Sequence, residues 1–142
     1  MAIIYLVGSL RNPNVSAVAV TLRNADHEVI DDWAAAGRDA DDMWKEYEQA
    51  RGRTFIEALD GLAANHVFDF DYRELQRAEA VVLVAPAGKS AHLELGFALG
   101  QGKKGYYLLE KDADPRWDVM LKFATKVVAT VEELVEELDA TT

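Results

Sequence analysis

Residues 80–104 read AVVLVAPAGKSAHLELGFALGQGKK, and the change of character along this stretch decides the fold. Its first six residues, 80–85, are an unbroken, valine-rich apolar run. They are too few for a helix and too uniform to alternate, which predicts a strand covered on both faces of a parallel sheet. The turn PAGKS follows, and then a helix of small and apolar residues. Upstream, residues 2–7 form a second apolar run that stops at Gly8 and the turn SLRNPN. Residues 15–25 carry apolar side chains at helical spacing, with Asn14 as the N-cap, and HEVID resumes a strand from His27. Residues 39–65 are polar and helix-forming, with Trp44, Tyr47, Phe55, Ile56 and Leu59 as candidate buried positions; residues 67–77 continue with a second helix. Downstream, residues 104–109 give a fourth strand and 125–129 a weak fifth. The closing VEELVEELDA is an amphipathic helix with a solvated acidic face. Strands alternating with helices argue for a three-layer α/β sandwich. About five strands in this length point to a flavodoxin-like, Rossmann-like doubly wound parallel sheet of order 2-1-3-4-5.

A chain of 142 residues, 50% of them hydrophobic, suits one compact domain over residues 1–142. Its 15 basic and 25 acidic side chains give a net charge of -10. With no cluster of Lys or Arg to offset it, that charge disfavours a nucleic-acid polymer as partner. Cysteine is absent, which removes disulfides, thiolate metal sites and a thiol nucleophile. MAIIYLVGSL lacks the basic region and long apolar core of a signal peptide, and no apolar run is long enough for a bilayer, so the expected location is cytoplasmic, away from membranes.

In a doubly wound sheet, ligands bind beyond the carboxyl ends of the strands where the order reverses, here between the first and third strands. That selects residues 8–14 and 86–90, and the helices beginning near Ser90 and Asp71 would point their first turns into the same crevice. The first loop offers Ser9 and Arg11, a hydroxyl and a planar guanidinium suited to an anion, just after Gly8. The second offers Gly88, Lys89 and Ser90 at a helix N-terminus, where free N–H groups and the helix dipole favour negative charge. Together they describe a site for one phosphate. Taken locally, Ser90 is also adequate as an N-cap and Gly88 as a turn residue. Neither GxxxxGK[ST] nor GxGxxG follows the first strand, so triphosphate and dinucleotide loops are not indicated.

Glu94 stands alone in its helix. Its neighbours three and four residues away are Ser90, Ala91, Phe97 and Ala98, so no cation is placed to pair with it. An unpaired carboxylate that faces the crevice would be desolvated and its pKa raised; one that faces water would be an ordinary helical glutamate. Asp71 is a second acid at this edge, readable equally as a helix cap, and Asp69 could exchange roles with it. Two acids flanking a sugar can divide glycosidic cleavage between attack on the anomeric carbon and handling of the leaving group's proton.

Three segments, IYLVGSLR at 4–11, DYRELQRAEAVVLV at 71–84 and SAHLELGFALGQGKK at 90–104, resemble the nucleoside 2-deoxyribosyltransferases and their hydrolytic relatives, the deoxynucleoside 5'-monophosphate N-glycosidases. The monophosphate branch is the better match. The resemblance spans most of the chain, and its ELG with the small-residue helix behind it is the most specific piece. It implies that Glu94 attacks C1', that Asp71 assists the departing base and that Tyr5 positions the nucleophile or the sugar. It also implies that Gly8, Ser9 and Arg11 hold a 5'-phosphate. Transferases of unphosphorylated nucleosides usually carry an Asp six residues before the nucleophile; here that position is Gly88, which fits a phosphorylated substrate. The family's C-terminal Asn or Ser, supplied across a subunit interface, has no counterpart identifiable in the sequence. A homo-oligomer is implied.

The reading is therefore cleavage of the N-glycosidic bond of a 2'-deoxynucleoside, as its 5'-monophosphate, through a deoxyribosyl-Glu94 intermediate resolved by water or by a second base. The substrate is a small-molecule nucleoside or nucleotide. Trp44 and Trp33 could stack on the base or belong to the core, and His92 could touch substrate. No metal or other cofactor is implied. Two other readings use the same crevice: a non-catalytic nucleotide-sensing module, and an NAD glycohydrolase of the Toll/interleukin-receptor type.

Overall fold

The structure, a computed structural model, describes residues 1–141. In chain order it comprises β1 (Ile3–Val7), α1 (Asn14–Asn24), β2 (Glu28–Ile30), α2 (Ala40–Ala50), α3 (Phe55–Leu59), α4 (Leu62–Arg77), β3 (Ala80–Val84), α5 (Lys89–Gly100), β4 (Lys104–Leu108), β5 (Lys126–Val128) and α6 (Val131–Thr141). Short 3₁₀ helices at Asp32–Ala36 and Val119–Phe123 fill two connections. All strand pairs are parallel and the order is β2-β1-β3-β4-β5, the doubly wound sheet expected from the sequence.

The pleat divides the core. Ile4 and Leu6 of β1 join Val82 and Tyr106 in a layer closed by Ala19 and Leu22 of α1 and Leu134 and Leu138 of α6. Tyr5 and Val7 point the other way, into a layer with Val81, Leu83, Leu75 of α4 and Ala91, Leu95 and Ala98 of α5. Each fully buried leucine stabilises the fold by about 1.5–3 kcal/mol. Because Tyr5 lies in the α4/α5 layer, a phenol sits beneath the seam where those two helices meet. Trp33 borders both layers and donates its indole N–H to the Leu6 carbonyl at 2.7 Å, so it is a structural residue.

Two contacts fix the helices that carry the acids. Lys103 Nζ donates to the carbonyls of Leu75, Gln76 and Ala78 at 2.7–2.8 Å, satisfying the orphan groups at the end of α4. Gly105 of β4 lies so close beneath α5 that a Cβ there would stand 2.7 Å from Leu99 Cδ2 and 2.8 Å from Leu95 Cδ1. A side chain at position 105 would therefore have to push aside the Leu95 and Leu99 side chains of the helix that bears Glu94. On the opposite layer, buried His27 accepts from the Ala2 N–H at Nδ1 (3.0 Å), which leaves its Nε2–H for Asp139 Oδ1 at 3.2 Å.

Several expectations are corrected. Residues 39–65 do not form one helical stretch. Gly52, at φ +76°, breaks them into α2 and α3, and α3 opens with a capping box between Thr54 and Glu57. Tyr47, Phe55, Ile56 and Leu59 are exposed and Trp44 is half-buried, because α2 and α3 pack against each other and α4 beyond the sheet. The second helix starts at Leu62, so Asp71 sits in its interior rather than in a first turn or cap. Asn14 is the first residue of α1, not its N-cap; its N–H is accepted by the Asn12 side chain at 2.9 Å. Ser90 likewise lies inside α5, whose cap position is Gly88. No helix among the described residues is long and apolar enough to cross a membrane.

Candidate active site

The seam between α4 and α5 is built from pairs in register. Gln101 meets Gln76, Phe97 packs against Tyr72 at 5.8 Å between ring centroids, and Tyr72 stacks on Phe68 at 5.7 Å. Both helices run antiparallel to the strands, so successive pairs climb towards the carboxyl edge of the sheet. There Glu94 of α5 takes a hydrogen bond from Tyr5 and feels the charge of Asp71 of α4. Asp71 follows nine helical residues and Glu94 five. At 1.5 Å per residue α4 thus starts about 6 Å further out than α5. This offset explains how an acid deep in its own helix reaches the crevice.

Glu94 is half-buried, and no cation pairs with it among the described residues. Burial, and then the negative charge of Asp71, push its pKa up to about 7, opposed by a hydrogen bond from Tyr5. Asp71, also half-buried, is raised by its own desolvation. The Tyr5 phenol is raised far above its ordinary value by burial first and then by Glu94 and Asp71, so it remains a hydrogen-bond donor throughout the physiological range. Two acids and a phenol, each partly desolvated, therefore act on one another and compete for few protons. Asp69, the other acid considered for Asp71's place, is exposed.

A second element lies alongside. Ser9, Arg11, Asn12, Pro86, Ala87 and Gly88 line a cavity of about 260 Å³ at the switch point, several times the ~30 Å³ share of one water. The Ser9 hydroxyl accepts the Arg11 N–H at 3.1 Å and shapes the first loop. Gly8 is confined, since a Cβ there would meet Val15 Cγ2 at 3.1 Å and the Val84 carbonyl at 3.3 Å; Gly88 opens on free space. Asn12, which the sequence reading passed over, is buried and joins the two loops. Its Nδ2 donates to the carbonyls of Val84 (3.3 Å) and Pro86 (3.4 Å). The Ala85–Pro86 peptide is cis.

The remaining candidates fall elsewhere. Ser90 is exposed in the first turn of α5. His92 is turned to the other flank of that helix, where Nδ1 meets the Gly88 carbonyl at 2.7 Å and Nε2 the Tyr107 hydroxyl at 3.3 Å. Trp44 packs edge-on against Phe55 and lines a separate cavity of about 510 Å³ between α2 and α3, its indole N–H buried without a partner. No group of three or more His, Asp or Glu placed to hold a metal ion occurs among the described residues.

No protein-family profile matches the sequence, and no curated protein matches it. Among solved structures, the chain is similar to the Clostridium botulinum CMP N-glycosidase, at 13% identity over 96% of this chain and 98% of that one, with a TM-score of 0.56. It is similar to a 2-deoxyribosyltransferase of Bacillus psychrosaccharolyticus, at 15% identity over 94% and 90%, TM-score 0.61. A conserved protein of Enterococcus faecalis matches at 12% identity over 100% and 99%, TM-score 0.65. At these identities the likeness is one of fold: a doubly wound sheet on which an N-glycosidase and a deoxyribosyltransferase are also built.

Proposed function

We propose that this chain is a cytoplasmic enzyme that cleaves the N-glycosidic bond of 2'-deoxynucleoside 5'-monophosphates. The observation that carries the reading is Glu94, an unpaired carboxylate held half-buried against Tyr5 and Asp71. Ionised Glu94 attacks C1', the bond from C1' to the base nitrogen breaks, and protonated Asp71 gives its proton to the departing base. Water then attacks C1', Asp71 takes back a proton and the Glu94 carboxylate is released; a second base in place of water makes the reaction a transfer. Glu94 lies six positions beyond Gly88, about 9 Å along the helix. A pentose with its 5'-phosphate in the Ser9/Arg11 cavity bridges that span. The CMP N-glycosidase and deoxyribosyltransferase among the structural neighbours support this chemistry.

Incubation with nucleosides, their 5'-monophosphates and NAD, with and without an added free base, tests the reading by product chromatography. The expected result is free base released fastest from a deoxynucleoside monophosphate. Binding of monophosphates without base release would make the chain a nucleotide sensor, and nicotinamide from NAD would make it a glycohydrolase of that cofactor. A Cβ at position 88 meets nothing within 4 Å, so Gly88→Asp is expected to fold and to place an acid at the rim of the anion cavity. Its turnover of monophosphates should fall about tenfold or more relative to nucleosides. An unchanged preference would move the phosphate elsewhere.

A second copy of the chain is the proposed cover for the outer face of the seam. Phe68, Phe70, Tyr72, Leu93 and Phe97 are exposed on either side of Asp71 and Glu94, with Leu93 75% accessible. Such a patch beside desolvated acids is characteristic of an interface that also excludes water from a site. Light scattering should give at least a dimer, and Leu93→Arg should shift it towards monomer with loss of activity. A monomeric, fully active wild type at micromolar concentration contradicts this.

A further inference from the structure

Among the described residues Arg11 is the only charged one lining the switch-point cavity, yet its guanidinium is already engaged. Its Nη2 donates to Asp42 Oδ2 at 3.0 Å and lies 3.9 Å from Asp39 Oδ1. Both acids belong to the start of α2, outside the cavity's Ser9 and Pro86–Gly88 walls. An entering phosphate therefore meets a cation compensated by two carboxylates and must draw the guanidinium away from them. We propose that Asp42, seconded by Asp39, is a specificity-determining residue that competes with the ligand's phosphate for Arg11 and so limits how strongly the site prefers a phosphorylated over an unphosphorylated nucleoside. The inference rests on the reading of this cavity as the phosphate site.

The sign follows from charge. Carboxylate and phosphate make the same charge-assisted contacts to a guanidinium, so every bond Asp42 holds is one the ligand must replace. Both acids also repel any anion in the cavity, a dianion about twice as strongly as a monoanion. A neutral nucleoside feels neither effect. All three side chains are more than half exposed, with 54% for Arg11 and 66–67% for the acids, so the competition is worth a few-fold rather than orders of magnitude.

The test is a set of dissociation constants for one deoxynucleoside, its 5'-monophosphate and the 5'-(methyl phosphate) diester, measured calorimetrically in low salt. Asp42→Asn should bind the monophosphate about three- to fivefold tighter, the monoanionic diester less so, and the nucleoside as wild type does; Asp39→Asn with Asp42→Asn should approach tenfold. A ratio of monophosphate to nucleoside affinity that stays constant in Asp42→Asn overturns the proposal. So does a ratio that falls, because Asp42 would then be holding Arg11 in place for the phosphate. Arg11→Ala separates the two levels of argument. If it leaves monophosphate affinity intact, the phosphate reading of the cavity fails; if it lowers that affinity while Asp42→Asn changes nothing, only the competition fails.

Discussion

Glu94→Gln should lower base release at least about a thousandfold while making the folded chain more stable at pH 8. The two effects have one source. A carboxylate whose pKa is raised from 4.5 to about 7 by burial and by Asp71 is one the fold would rather keep protonated. Its protonated form folds without penalty below about pH 4.5; stability falls as pH rises from there through 7, and the penalty is complete above that. The full difference corresponds to at most about 3 kcal/mol, and the water that Glu94 still meets reduces it to about 1–2 kcal/mol. Glutamine keeps an oxygen for the Tyr5 hydroxyl and carries no charge. Thermal midpoints of wild type and Glu94→Gln should therefore converge near pH 4 and separate at pH 8, with the variant higher. Near-normal base release by the purified variant would remove the nucleophile from the mechanism. Equal midpoints at both pH values would show Glu94 to be well solvated.

The sheet was legible because parallel strands advertise themselves. AVVLVA and IIYLV are continuous apolar runs that only a doubly covered position requires, and the helices between them fix the order. Glycines marked the loops for the same local reason. Legibility failed where the outcome depends on what a helix face meets. Phe55, Ile56 and Leu59 have the spacing of a buried face, but periodicity records that a face is apolar, not which body covers it. The same limit applies to Phe68 and Phe97, which border the acids and stay exposed in a single chain. Asn12 reads in SLRNPN as a turn residue, and only the adjacency of β1 and β3 turns it into the link between the two switch-point loops. Asp71 was legible as an acid and not as a position. Its reach into the crevice depends on how far α4 extends past the sheet edge, a quantity set by packing.

Asp71→Asn and Tyr5→Phe should move the pH dependence of base release in opposite directions, and that contrast tests the pocket as a coupled unit. The step needs Glu94 ionised and Asp71 protonated, so the pair works with one shared proton and wild-type activity should fall as pH rises through a limb near 7, where that proton is lost. The Asp71 charge pushes Glu94 up, while the Tyr5 hydrogen bond holds it down. Asp71→Asn leaves Glu94 to titrate alone, so its activity should rise with pH through a limb displaced below 7; Tyr5→Phe should carry the falling limb higher, so that it loses more activity at pH 6 than at pH 8.5. The plateau rates separate the roles. Asp71→Asn deletes a proton donor to the leaving base and should cost about 10²–10⁴ in kcat below pH 7, where the wild-type pair keeps that proton. Activity of this variant should recover on substrates whose leaving group departs without a proton, such as a deoxyribosyl 4-nitrophenolate. Tyr5→Phe retains both acids and should keep most of its rate at pH values below the displaced limb. If both limbs move the same way, the acids and the phenol do not share protons. If Asp71→Asn is equally slow on activated and natural leaving groups, Asp71 orients the sugar rather than protonating the base, and the donor must be sought on another element of the crevice.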